Sequence, residues 1–218
     1  MTIVPFKPSQ NRQKHPPLIN LPPLTLYLLA AIILVQGLFS VMPSAWVEAW
    51  GYNLAFVPAR YTKPELFNVF AFTSPFTHLF VHGGWLHVLM NATMLAAFGA
   101  GAEKMFGATK TFIFFIVSGL AGALAQFLLG PHSPIPMVGC SGALSGLFAA
   151  VMIRMIEAGQ AQAGRFGIWG IAALWIGLSY ASALVGGEVG IGNVAWAAHA
   201  GGFIASMGLM KLRYFNRV

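Results

Sequence analysis

Six apolar runs, none containing a lysine, arginine, aspartate or glutamate, partition this chain between residues 24 and 210. They lie at about 24–42, 84–102, 111–129, 138–153, 166–185 and 194–210, each near the ~20 residues that a helix needs to cross ~30 Å of hydrocarbon. Lipid offers the backbone no hydrogen-bond partners, so each span must satisfy its own peptide groups, and a helix does so. The expected fold is therefore an all-α membrane protein, a bundle of six transmembrane helices over residues 24–213. Composition supports this, with 57% hydrophobic residues and 8% charged ones, where soluble domains carry about 25% charged. The single cysteine, Cys140, excludes an internal disulfide, so helix packing must hold the bundle together.

Basic residues set the expected orientation. With both termini cytoplasmic, the inner segments hold Lys7, Arg12, Lys14, Lys104, Lys110, Arg154, Arg165, Lys211, Arg213 and Arg217, and the outer ones only Arg60 and Lys63. The net charge of +7 is spread between apolar runs and gathers on no amphipathic face, so no nucleic-acid partner is expected. Residues 1–23 are polar and proline-rich, lack the pattern of a cleavable signal peptide, and read as a disordered cytoplasmic tail. Residues 43–81 form the longest connection and are dense in aromatics, including Trp46, Trp50, Tyr52, Phe56 and Tyr61. That composition suits an outer loop lying in the headgroup interface. The glycine-rich stretch 186–192 between the last two spans reads as a mobile flap, with Glu188 solvated within it.

Polar side chains inside spans are costly and mark candidate sites. Ser141 stands thirteen residues before Arg154 and His199 twelve before Lys211, which puts both about 18–20 Å from the inner edge at ~1.5 Å per residue. Asn91, twelve residues before Glu103, reaches the same level, and His87 lies one turn further out on the same face. The fourth run is short, so its helix start is expected to be recessed behind residues 131–136, with Ser141 on the first turn. There, unpaired N–H groups and the positive end of the helix dipole face any oxyanion beside the hydroxyl. Gly139 and Gly142 are expected to leave room for a substrate carbonyl. Gly142, Gly146 and Ala150 on the fourth span and Ala198, Gly202 and Ser206 on the sixth repeat at four-residue intervals, the small-residue pattern of close helix contact. Ser141 and His199 flank that seam with no acid nearby in sequence, so a dyad is the expected arrangement. His78 and His82, also four apart, either join His87 and Asn91 in a hydrated mouth to the site or, equally, serve as structural hydrogen-bonding residues. Ser118, Ser145, Ser179, Ser182 and Ser206 read as helix serines that bond to their own carbonyls or pack as small residues. His132 reads as a structural hydrogen-bonding residue and Cys140 as a small filler.

With these residues on the page, the chain resembles the rhomboid intramembrane serine proteases over about residues 43–210. The matching motifs are Gly-x-Ser-Gly at Gly139 to Gly142, His-x-x-x-Asn at His87 to Asn91, and Ala-His-x-x-Gly at Ala198 to Gly202. They fall on the second, fourth and sixth spans in the family's order. The resemblance implies Ser141 as nucleophile, His199 as general base and then acid, and His87, Asn91 and the Ser141 backbone N–H as oxyanion donors. It also implies transmembrane proteins as substrates, small residues before the cleaved bond, and neither metal nor cofactor. Three departures stand out: the Trp-Arg pair of the first outer loop is absent, Ser145 occupies the usual place of an aromatic that packs on the histidine, and Ser206 replaces a glycine.

The resulting expectation is hydrolysis of a peptide bond in or beside a transmembrane helix, through an acyl-enzyme. The gate is expected at the fifth span, with Trp169, Trp175 and Tyr180. The expected location is multi-pass in a bilayer, a bacterial inner membrane, with the site opening outward. An inactive rhomboid-like protein that binds membrane clients is the alternative. A transporter would need charged residues or broken helices near the midplane.

Overall fold

A computed structural model describes residues 20–186 and 196–216. The expected tail (residues 1–19 of it) and nearly all of the 186–192 flap lie outside the described residues. Among those described the chain is helical, with no strand beyond one isolated bridge between Phe56 and Met137. In chain order the helices are α1 Pro23–Val41, α2 Ser44–Leu54, α3 Phe70–Thr77, α4 Trp85–Phe106, α5 Ala108–Leu129, α6 Ser141–Glu157, α7 Gly167–Gly186, α8 Trp196–Met210 and the short α9 Arg213–Asn216.

Four helical stretches are long and apolar enough to cross a membrane: α1, α4, α5, and α7 together with its preceding turn. The fourth expected span departs from its sequence-based bounds. Helix α6 begins at Ser141 rather than 138, because Gly139 takes φ +101°, a left-handed conformation that interrupts any helix there. With 17 residues in α6 and 15 in α8, these two helices are shorter than a full span and form the inner layer, packed on each other and on α5.

Small residues make that inner layer possible. A Cβ on Gly202 would collide with the Gly142 carbonyl oxygen, and one on Gly122 would lie 2.8 Å from the Ala198 oxygen. The small-residue seam therefore brings the backbones of α6 and α8 together as the spacing predicts, and α5 joins it. Ser118 and Ser206, both fully buried, share a hydrogen bond of 2.9 Å beneath Gly146. Phe106, Phe114 and Phe115 pack with Leu144 and Leu147 in the main hydrophobic core, which reaches from Cys140 at the start of α6 to Met210 and Phe215. Phe215 stacks on Phe114 at 4.8 Å, so packing continues past the expected boundary at 213.

Two polar contacts tie the outer elements to this frame. Glu103 is buried and accepts hydrogen bonds from Leu24 N–H at 2.9 Å and from Thr25 N–H and Oγ1 at 2.8 Å. A carboxylate here satisfies the orphan donors and the positive dipole end at the start of α1. Arg60, expected among the exposed outer charges, is instead buried. Its guanidinium donates to the carbonyls of Tyr52 (3.0 Å), Asn53 (3.2 Å) and Ala55 (3.2 Å), capping the C-terminal end of α2 where those acceptors lack intrahelical partners.

Candidate active site

Segment 130–140 delivers Ser141 to its place. Met137 and Phe56 exchange two backbone hydrogen bonds (2.8 and 3.0 Å), Ala59 N–H donates to Ser133 O (3.0 Å), and Gly139 N–H donates to His78 O (2.9 Å). Residues 56–78 thus clamp the segment before α6. A Cβ on Gly139 would stand 2.7 Å from His87 Nε2, and one on Gly142 3.1 Å from Ala198 O. The room left by these glycines is therefore filled by the protein itself, not held open for a substrate carbonyl as expected from the sequence.

Ser141 is the first residue of α6, and its hydroxyl lies 2.8 Å from His199 Nε2 on α8. The structure thus brings together the two residues that share a depth in the sequence. The other imidazole nitrogen, Nδ1, lies 2.8 Å from Ser179 Oγ on α7, and that hydroxyl bonds to the Trp175 carbonyl at 2.9 Å. A serine hydroxyl carries a single proton. With that proton on the Trp175 carbonyl, Ser179 must accept from His199 Nδ1–H, which leaves Nε2 bare to accept from Ser141.

His87 and Asn91 lie against the start of α6. Gly83 N–H makes a long, 3.3 Å contact to His87 Nδ1, which leaves the ring proton of a neutral imidazole on Nε2, the atom beside Gly139. Asn91 is buried, donates one amide hydrogen to His87 O at 2.9 Å, and accepts from the Cys140 thiol at 3.5 Å. Its second amide hydrogen is uncommitted by these bonds. Cys140, fully buried, fills the space between α4 and the start of α6.

Of the two readings of His78 and His82, the structural one fits the fold and the hydrated mouth does not. Both are buried, with 2% and 8% of their surface exposed. His78 Nδ1 bonds to Ser74 O at 3.0 Å and His82 Nδ1 contacts Phe80 O at 3.3 Å. Burial lowers the pKa of each to about 4, and for His82 the neighbouring His87 adds to the effect. The His82 ring lies against Gly139, 3.7 Å from where a Cβ would stand, and the His78 ring packs on Phe56 at 6.0 Å between centroids. His132 bonds to Thr62 Oγ1 at 3.0 Å, on the clamp between loop and segment.

Reading the sequence missed two partners. Ser145 bonds to the Ser141 carbonyl at 2.9 Å and accepts from Trp175 Nε1–H at 3.0 Å, while Ser179 holds His199. Both follow the expected back-bonding pattern, and it is that pattern which turns each hydroxyl's lone pairs toward another helix. The only sequence signal is that both Ser145 and Ser179 stand four residues after a carbonyl they can bond. No grouping of histidine, cysteine, aspartate and glutamate that could hold a metal occurs among the described residues.

Comparison with known proteins converges on one family. A family model describing the Rhomboid domain matches residues 70–214. The chain is 35% identical over 78 residues to RHOMBOID-like protein 5 of Arabidopsis thaliana, an alignment covering 36% of this chain and 25% of that one. To Rhomboid protease GluP of Bacillus subtilis it is 26% identical over 147 residues, covering 65% of this chain and 27% of that one. The match to Inactive rhomboid protein 1 of Drosophila melanogaster is 36% over 80 residues, covering 37% of this chain and 6% of the other. The chain thus spans about a quarter of the length of the first two relatives.

Proposed function

The chain belongs to the rhomboid family, and from that premise we propose that it is an intramembrane serine endopeptidase that cleaves transmembrane proteins. The observation that carries this reading is the 2.8 Å contact between Ser141 Oγ and His199 Nε2, with the imidazole in the tautomer that can accept a proton. In this mechanism His199 takes the hydroxyl proton as Ser141 Oγ attacks the peptide carbonyl. The oxyanion faces the Ser141 backbone N–H at the helix start, His87 Nε2–H and the free amide hydrogen of Asn91. Collapse breaks the C–N bond, and the leaving amine takes the proton from His199. Water then attacks the acyl-enzyme, His199 again serving as base and returning the proton to Ser141. No step calls for a metal or cofactor.

The geometry also suits a substrate that arrives from the lipid. Of the four apolar spans α7 has the smallest buried share, and Trp169, Leu174, Leu178 and Tyr180 along it are exposed, so its displacement opens a lateral path to Ser141. The substrate helix must unwind there, because its carbonyls are otherwise occupied by its own hydrogen bonds. We place the protein as a six-span chain in a bacterial inner membrane, α6 and α8 completing the set within the protein interior, with both termini inside and the site in the outer half.

The test is cleavage of a transmembrane substrate by the full chain in liposomes. Ser141→Ala is expected to abolish product formation, while retained cleavage would sink the assignment. A chain that binds the substrate but releases no product, before and after substitution, is instead an inactive client-binding relative.

A further inference from the structure

We propose that Ser179 is a positioning residue for the Ser141–His199 pair, and that through it the alignment of His199 depends on the seating of α7. The inference rests on the proteolytic reading above and adds a residue that none of the three sequence motifs contains.

The hydrogen-bond polarity carries the argument. Ser179 donates to Trp175 O (2.9 Å) and therefore accepts from His199 Nδ1–H (2.8 Å). This fixes the ring about its Cβ–Cγ bond and keeps the basic lone pair on Nε2, 2.8 Å from Ser141 Oγ. A catalytic histidine is commonly held this way by a carboxylate, but among the described residues no aspartate or glutamate bonds to His199. A hydroxyl orients the neutral ring without placing a second charge in the low-dielectric interior, where an isolated carboxylate is costly.

A second strand of the same helix points the same way. One turn before Ser179, Trp175 donates from Nε1 to Ser145 Oγ (3.0 Å), and Ser145 bonds to the Ser141 carbonyl (2.9 Å). The Trp175 ring stacks on Phe148 of α6 at 4.5 Å. So α7 reaches both members of the pair, through Ser179 to His199 and through Trp175 and Ser145 to Ser141. Near its start α7 also packs on α6 and α8 through Ile168, Ile171 and Ala172, and the rest of its surface is largely exposed. Outward movement of α7 therefore releases Nδ1, and catalysis requires the helix to return after substrate enters.

The experiment compares Ser179→Ala, Ser179→Thr and a control, Ser182→Ala, in the full chain. Ser182 back-bonds to Leu178 O at 2.8 Å on the exposed face of the same helix, so its loss costs α7 the same kind of bond without touching His199. Substrate cleavage in liposomes and the rate of labelling by a fluorophosphonate are both read. Ser179→Ala is expected to lower kcat and the labelling rate about 10- to 100-fold with KM within about twofold, as for loss of an interaction that acts on the reacting groups alone. Ser179→Thr, which keeps the hydroxyl, recovers to within about fivefold of the parent, and Ser182→Ala stays at the parent rate. Unchanged labelling of Ser179→Ala, an equal loss in Ser182→Ala, or no recovery in Ser179→Thr overturns the proposal while leaving the protease reading intact. If the parent chain itself neither cleaves nor labels, the protease reading fails and this one falls with it.

Discussion

His78 and His82 show how far a single residue's role depends on its surroundings. Spacing alone makes them neighbours on an outward-leading stretch; folding buries both and keeps them neutral. Their pKa values fall from about 6.5 in an unfolded chain to about 4. The stabilisation that neutrality confers is therefore complete above pH 6.5 and is lost as pH falls towards 4, since below 6.5 the unfolded state binds protons that the folded state refuses. The loss reaches at most about 2 kcal/mol per histidine at pH 5. Melting of the detergent-solubilised protein should fall steadily between pH 6.5 and 4.5, and a His78→Gln/His82→Gln variant should show a shallower slope over that window. At this scale the sequence singled out Ser141, His199 and Asn91 as polar groups at one depth in apolar runs, with His87 one turn further out. It could not reveal Ser179, which looks like any helix serine until the fold sets an imidazole beside its lone pair.

At the scale of elements, the bounds legible in the sequence were those set by apolar length. Helices α1, α5 and α7 lie within three residues of the expected spans, and the start of α6 shifted by three because a positive φ at Gly139 is a backbone property that hydropathy does not encode. The outer loop was the least legible element. Its aromatics predicted an interfacial location but not that Arg60, with no acid among its bonded partners, would fold back on the end of α2. A planar fork reaching three carbonyls is a guanidinium's work. Burial lowers its pKa, against the pull of Tyr52 and Tyr61, and the carbonyls hold it charged. Arg60→Met leaves those acceptors unpaired at about 1–3 kcal/mol. Limited proteolysis is expected to cut residues 43–81 faster in this variant and in Arg60→Lys, whose ammonium lacks the fork, with the bundle's other sites unaffected. Equal cutting of the parent and both variants would show that the loop is held by other contacts.

The whole molecule is a scaffold in which shielding and access are divided between helices. Helices α5, α6 and α8 pack backbone to backbone at Gly122, Gly142 and Gly202, with the Ser118 and Ser206 side chains seated beside Gly146, which fixes Ser141 against His199. Helix α7 touches that core through few side chains yet reaches both reactive groups through Trp175 and Ser179. Under the proposed function, access from the bilayer and competence for chemistry depend on the same element. The most direct measurement is covalent labelling of the purified full chain by a fluorophosphonate, with the modified peptide identified by mass. A single adduct on Ser141, absent from Ser141→Ala and slowed at least about 100-fold in His199→Ala, is the predicted result. An unlabelled Ser141, or one labelled as fast without His199 as with it, would contradict the account.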